Sequence, residues 1–263
     1  WALNIEQLAG MSAVTGYPDG PPCNLQGPAD PIAGVHAGVA LLAALRRRER
    51  TGTGQLIEVA QIEVGAAVTA EPVIEYSMNG AVMRREGNRH RSYVQGVYPT
   101  RDEDDWVAIS VRDDDWAALI AAMDAPQLGE DPRFATAESR RQHHDALDEL
   151  FAAWTRQHSA EEVAEALTAR GVPAERVMTP DRMYDVPQLD ARGYYEEIEH
   201  PITGRHRYPG WPFRISPGPS RHHRTPPPTL GQHNAEVLGA IGVTAADRDE
   251  LAAQQMIGRR LLE

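Results

Sequence analysis

The chain has 263 residues, of which 41% are hydrophobic and 24% are charged, proportions typical of a globular protein with its own core. Its formal net charge of −12 argues against nucleic acid as a partner, because phosphate binding needs a basic face, and no apolar run reaches the roughly 20 residues of a membrane span. The single cysteine, Cys23, excludes a disulfide framework and fits a reducing cytoplasm, which is the location we predict.

The first eighty residues alternate between helical and strand-like patterns, as an α/β layer does. Residues 1–16 look helical, and residues 17–22 are rich in Pro and Gly, which is typical of a turn. The apolar run 55–60 predicts a buried strand, and residues 62–78 predict a helix with a kink at Pro72. We therefore assign residues 1–80 to one α/β domain.

One helix in this first part has a marked start. Asp30 precedes Pro31, and an N-cap aspartate followed by proline is a strong signal for a helix N-terminus. The apolar residues that follow predict a helix over 32–45, with arginines at its end that suit the helix dipole.

A polar and basic stretch then separates two parts of the chain. We assign residues 81–95 as a linker, residues 96–205 as a smaller α+β domain, and residues 206–263 as a connector and C-terminal helices that return to the first domain. The expected strands are 96–99, 106–111, 174–178, 194–199 and 206–215, and the expected helices are 114–123, 138–157, 160–169, 232–241 and 245–255.

Asp30 is the candidate catalytic residue. A carboxylate at a glycine-flanked junction between a loop and a helix is well placed to act as a nucleophile. The same Ala-Asp-Pro pattern is more often only a helix cap. The residues alone leave both interpretations open.

The histidines and acidic runs do not predict a metal site. His143 and His144 are adjacent on a predicted helix and therefore point apart. The acidic runs 102–105 and 113–115 lack the glycine and the terminal glutamate of a calcium-binding loop. We expect solvated turns there and no bound metal.

Several short motifs occur along the chain, each at one place and in a fixed order. They are TGYPDGPP (15–22), GPADPIAG (27–34), RTGTGQ (50–55), GNR (87–89), GVYP (96–99), GVP (171–173) and LGQH (230–233). Each is weak alone, but together they resemble the family III CoA-transferases, which include formyl-CoA transferase, carnitine CoA-transferase and α-methylacyl-CoA racemase.

The resemblance implies a fold and a reaction. The expected fold is α/β, with a Rossmann-like large domain and a smaller α+β domain, in a dimer whose chains interlock as rings. The family's catalytic aspartate matches Asp30, which would form a mixed anhydride and then an aspartyl-CoA thioester. A CoA thioester and a carboxylic acid would be the substrates, with no tightly bound cofactor.

The resemblance also suggests binding residues for CoA or substrate. A glycine-rich loop covers the intermediate in formyl-CoA transferase, and the matching stretch here keeps two glycines, Gly87 and Gly96. We take these two, with Gln95 and Trp1, as the candidate contacts.

The chain departs from the family in its N-terminal part. Members are longer, and the part without a counterpart here begins the Rossmann fold, so we expect either a partner chain, in a homodimer or a hetero-assembly, or a fragment. The racemases carry a His-Asp pair at the positions of Trp1 and Ala2, which argues against racemase activity. A non-catalytic scaffold subunit is the other alternative.

Overall fold

The computed structural model describes residues 1–259, so the last four residues of the predicted 206–263 segment lie outside it. The chain forms two compact units, Trp1–Val177 and a second that begins at Met178. In chain order the elements are α1 (Ala2–Leu8), α2 (Ala29–Thr51), α3 (Gln61–Val68), α4 (Ala70–Asn79), β1 (Val94–Pro99), β2 (Trp106–Val111), α5 (Trp116–Ala122), α6 (Gln127–Glu130), α7 (Ala137–Gln142), α8 (His144–Thr155), α9 (Ala160–Thr168), β3 (Ala174–Arg176), α10 (Pro187–Ala191), β4 (Tyr195–His200), β5 (Gly204–Pro209), α11 (Asn234–Ala240) and α12 (Ala245–Ala253).

Contrary to the prediction from the sequence, Asp30 is not the N-cap residue of the longest helix, α2. The N-cap residue is Pro28, and Asp30 is the second residue of the helix, where it makes no capping hydrogen bond. At the other end Gly52 adopts a left-handed conformation, φ 72°, and its N–H bonds to the carbonyl of Arg48, which is the usual way to close a helix. The helix is thus longer than the predicted 32–45 at both ends.

The predicted strand 55–60 is absent. These residues are irregular, and Leu56 is 93% exposed. A strand forms only where a neighbouring strand takes up its N–H and C=O groups. Within residues 1–259 the paired strands are β1 to β5, and none of them pairs with this segment.

The helix predicted over 62–78 is two helices, and the break lies at Thr69 rather than at Pro72. Pro72 falls in the first turn of α4, where its missing N–H is not needed. The Thr69 hydroxyl donates to the carbonyl of Ala9 at 2.8 Å. α1 approaches α3 closely at Gly65, where an added Cβ would lie 2.6 Å from the Ala9 Cβ.

The core of the first unit lies around an antiparallel sheet of order β1-β2-β3. The predicted hairpin is confirmed, with Val94 paired to Val111 and Pro99 to Trp106. Its inner face packs against α8 and α9, and α5 in turn packs against α9. The core side chains are Val94, Tyr98, Val107, Ile109, Val111, Leu119, Leu128, Phe134, Leu147, Phe151, Val163, Leu167 and Val172.

Two predicted helices of this unit have different outcomes. The helix over 160–169 is confirmed, and it begins with a capping box in which Ser159 and Glu162 each accept the other's N–H. The helix over 138–157 is divided into α7 and α8, because His143 leaves helical conformation at φ −108°, ψ 31°.

The second unit contains, over its described residues, a hairpin, β4-β5, and the helices α10, α11 and α12. β5 ends at Pro209, not at residue 215 as predicted, and Pro212 in the remainder has no N–H to donate to a ladder. The buried Glu196 accepts the N–H groups of His222 and His223 at 2.8 and 3.2 Å, which fastens the Pro-rich segment to β4. The predicted domain boundaries, and the return of the C-terminal part to the first domain, stay predictions.

Candidate functional site

Asp30 lies where the start of α2 meets the start of α3. Its carboxylate is exposed, and Oδ1 accepts a hydrogen bond of 2.8 Å from Nε2 of Gln61. One carboxylate oxygen is therefore oriented by a neutral donor. The Asp30 side chain makes no capping hydrogen bond. Its carboxylate could therefore act as a nucleophile without giving up a capping role.

Gln61 contacts the candidate nucleophile and was not predicted from the sequence. It is the first residue of α3 and lies 31 positions after Asp30. The available signal was a polar residue at the junction between the apolar run 55–60 and the next helix. That signal has no meaning until the fold brings α3 beside α2.

The backbone amides of the first turn of α2 are largely occupied. The N–H of Ala29 donates to the buried Glu6 side chain at 3.3 Å, Pro31 has no N–H, and that of Ile32 donates to the carbonyl of Pro28 at 3.2 Å. The amide of Asp30 itself is the remaining first-turn donor that could meet a developing oxyanion.

A loop around Tyr17 holds Gly87 in place. Arg85 donates to the carbonyls of Ala13, Tyr17 and Gly20 at 3.1–3.4 Å, and Asn88 donates to the Tyr17 hydroxyl at 2.9 Å. Gly87, with φ 63°, lies so close to the Tyr17 ring that an added Cβ would be 2.8 Å from its Cδ1. The conformation and the contact both require glycine here.

Gln95 and Gly96 lie on β1 and line a cavity of about 750 Å³ that also includes Tyr17 and Arg89. Gly96 lies against the Tyr98 ring, which leaves no room for a side chain. The structure thus brings Gly87, Gln95 and Gly96 to the surroundings of Tyr17. Asp30 is not among the residues that line this cavity.

A network of charges forms one wall of the cavity around Asp148. Its carboxylate accepts hydrogen bonds from Tyr98 at 2.8 Å, Arg89 at 2.9 Å and His144 at 3.2 Å. Burial raises the pKa of Asp148, but these three donors outweigh it, so the pKa lies below its ordinary value. Burial and the Asp148 carboxylate both raise the pKa of Tyr98, which keeps that phenol a hydrogen-bond donor.

Trp1 precedes α1 and is 99% exposed in this structure. Its carbonyl accepts the N–H groups of Asn4 and Ile5. The assignments of Trp1, Gly87, Gln95 and Gly96 as contacts to CoA or substrate stay predictions.

Two findings on the described residues concern metals and membranes. Residues 1–259 contain no group of three or more His, Cys, Asp or Glu side chains placed to hold a metal ion. Over the same residues, no helix has both the length and the apolar character needed to cross a bilayer.

The chain is similar in sequence to several proteins that are named as CoA-transferases. The succinyl-CoA–D-citramalate CoA-transferase of Chloroflexus aurantiacus is 33% identical over 255 residues, which cover 96% of this chain and 63% of that protein. The succinyl-CoA:mesaconate CoA-transferase of Haloarcula hispanica is 30% identical, covering 94% and 62%. The chain thus spans under two thirds of the length of these relatives.

A solved structure and a family model show the same similarity. A CAIB/BAIF family protein from Brucella suis superposes with a TM-score of 0.81 at 26% identity, over 92% of this chain and 62% of that one, which confirms the predicted α/β class. The model described as CoA-transferase family III matches residues 2–234. The chain therefore belongs to the family III CoA-transferases.

Proposed function

We propose that this protein transfers CoA from an acyl-CoA donor to a carboxylic acid, with Asp30 as the covalent nucleophile. The observation that carries the proposal is the exposed Asp30 carboxylate, held by Gln61 through Oδ1, at the head of a 23-residue helix. The other oxygen, Oδ2, is the one left to attack.

The reaction proceeds by four acyl substitutions, the first and last at the acyl carbons of donor and acceptor and the middle two at the carboxyl carbon of Asp30. Oδ2 attacks the thioester carbonyl and the C–S bond breaks. CoA departs as the thiolate, and a mixed anhydride forms between Asp30 and the donor acid. The thiolate then attacks the Asp30 carbonyl carbon, which releases the donor acid and forms an aspartyl-CoA thioester. The acceptor carboxylate attacks the same carbon and expels the thiolate, which gives a second mixed anhydride. The thiolate then attacks the acceptor acyl carbon of this anhydride, the bond from that carbon to the Asp30 oxygen breaks, and the new acyl-CoA and the free Asp30 carboxylate are formed. Covalent catalysis of this kind divides one hard exchange into easier steps.

The substrate class follows from the relatives' names and from local charge. The names of similar proteins pair succinyl-CoA with D-citramalate or mesaconate, succinate with glutarate, and formyl-CoA with oxalate. The acids D-citramalate, mesaconate, glutarate and oxalate each carry two carboxylates. A cavity of about 480 Å³ beside Gly87 is lined by Arg84, Arg89 and Arg91, with Glu71 and Glu86 also in its wall. We therefore propose a dicarboxylic acid as the acceptor, because Arg84 and Arg91 favour a second carboxylate, whereas Arg89 is already paired with Asp148.

The active assembly is part of the proposal. The relatives carry further residues beyond the matched part, and the resemblance implies that most of the contacts to CoA come from those residues. We propose that the CoA site is completed in an assembly, either with a second copy of this chain or with a chain that supplies the N-terminal part.

The test is the intact mass of the protein from its native source, with a census of co-purifying chains, before and after succinyl-CoA and then hydroxylamine. We expect an adduct that hydroxylamine converts to a hydroxamate at Asp30, and none in Asp30→Asn. Glu63→Gln, an exposed carboxylate of the same helix pair, is the control and should keep the adduct. No adduct in the unaltered protein, or an equal one in Asp30→Asn, would reject the nucleophile and favour a scaffold subunit.

A further inference from the structure

Glu6 is a fully buried carboxylate that the proposed reaction does not use. It lies in α1, and its side chain is 0% exposed. Oε1 accepts the N–H of Ala29 at 3.3 Å, and Oε2 has no hydrogen-bond partner within residues 1–259. A buried acid with so few partners is costly to keep, so its position needs a physical reason.

The reason lies at the head of α2. A helix leaves its first N–H groups without partners inside the helix, and an N-cap side chain normally accepts one of them. The N-cap here is Pro28, which has no side-chain acceptor, and no capping hydrogen bond is made by α2 itself. Glu6 supplies the acceptor oxygen from a different helix, at the positive end of the α2 dipole, where oxygen acceptors are favoured.

The support beneath Glu6 is firm. Its helix packs on α3 at the close approach of Ala9 to Gly65, and Thr69 at the end of α3 donates to the carbonyl of Ala9. The backbone carbonyl of Glu6 accepts the N–H of Met11 at 3.1 Å. The carboxylate is thus presented by a braced element rather than by a free loop.

The residue that Glu6 anchors is the neighbour of Asp30. We propose that Glu6 caps α2 in trans and is thereby a positioning residue for Asp30, fixing the backbone next to it while Gln61 orients its side chain. This inference rests on the proposed function of Asp30. The cap itself is a separate structural claim that can be measured without turnover.

The test compares two replacements in the intact protein. Glu6→Gln keeps an acceptor oxygen of the same reach but buries an amide NH₂ without a partner, so it lowers the melting temperature and retains the cap. Glu6→Met fills the same space without an acceptor. Gln7→Met, an exposed position of the same helix, is the control for a change in α1 alone.

Two readouts separate a positioning role from a merely structural one. In Glu6→Met we expect the Ala29 amide to exchange with solvent at least about 10-fold faster, and kcat to fall about 100-fold at nearly unchanged KM, as small displacements of reacting groups do. In Glu6→Gln both quantities stay within about 3-fold of the unaltered protein, although its melting temperature is lower.

The outcomes are distinguishable. Unaltered exchange at Ala29 in a folded Glu6→Met protein would overturn the cap. Faster exchange with unchanged kcat would overturn the positioning role. Equal loss of kcat in Glu6→Gln would also overturn it, since the acceptor is still present there. If the unaltered protein forms no adduct and transfers no CoA, the proposed function fails and the positioning role with it, while the exchange at Ala29 still decides the cap.

Discussion

Gln61 Nε2 lies 2.8 Å from Asp30 Oδ1 and donates a hydrogen bond to it. A neutral amide can orient a carboxylate without pairing its charge, so the oxygen it leaves alone keeps its nucleophilic character. A charged partner such as arginine would hold the carboxylate more tightly and stabilise it against attack on the substrate.

This relationship predicts the effect of removing the amide. We expect Gln61→Leu to lower kcat by about 10- to 100-fold, because the Asp30 carboxylate then samples other rotamers. Gln55→Leu, an exposed glutamine in the segment before α3, should leave kcat unchanged. Steady-state rates of CoA transfer with succinyl-CoA check both. Equal rates in the two variants would mean that Gln61 does not orient the nucleophile.

Asp30→Ala should abolish transfer with little cost in stability. The Asp30 side chain makes no capping bond, so what is lost is its interaction with the α2 dipole, together with an exposed hydrogen bond from Gln61. We expect the free energy of unfolding to fall by less than about 1 kcal/mol. Denaturant titration of both proteins measures this. A loss several times larger would show that Asp30 has a structural role.

The hydrogen bonds to Asp148 should make stability depend on pH. Because its pKa is lowered in the folded protein, these bonds contribute fully above the ordinary aspartate pKa of about 3.9 and are lost as the pH falls through the lower folded value. The melting temperature of Asp148→Asn should therefore lie below that of the unaltered protein at about pH 5 and approach it towards about pH 3.

Calorimetric scans at several pH values check this dependence. Asp102→Asn, an exposed carboxylate whose distance to Arg101 is 4.0 Å, serves as the control and should track the unaltered protein throughout. A constant difference between Asp148→Asn and the unaltered protein over the whole range would contradict the prediction.

The contact between Gly87 and Tyr17 can be isolated with a matched pair of glycines. Gly80 and Gly87 have similar left-handed conformations, φ 67° and 63°, but only Gly87 has a neighbour within 4 Å of an added Cβ. Both alanine variants lose about 1 kcal/mol for the backbone conformation, and Gly87→Ala should lose more. The double variant with Tyr17→Ala and Gly87→Ala should recover that extra loss of stability. Thermal unfolding of the unaltered protein, Gly80→Ala, Gly87→Ala and the double variant measures this.

The parts of the fold that the sequence predicts well are those with local causes. The β1-β2 hairpin joins two alternating runs through a short acidic turn, and α9 begins with its own capping box at Ser159 and Glu162. Such elements carry their own start and stop signals. Their bounds in the structure agree with the prediction within a few residues.

The errors have non-local causes. Residues 55–60 have the composition of a strand, but no strand among residues 1–259 pairs with them. Asp30 has the pattern of a cap, although the helix starts one residue earlier. The candidate site shows the same limit. Asp30 is visible in the sequence because of its motif, whereas Gln61 and Glu6 matter only because α3 and α1 pack beside the head of α2.

Residues 55–60 have a practical consequence for anyone who handles this chain. A mostly apolar stretch whose one charged residue is Glu58 can pair between molecules when its N–H and C=O groups are not taken up by a neighbouring strand. Leu56 in this stretch is almost fully exposed. Concentrated samples should self-associate through this stretch. A charged residue in place of Leu56 should reduce this self-association. Light scattering measured against protein concentration would show the reduction.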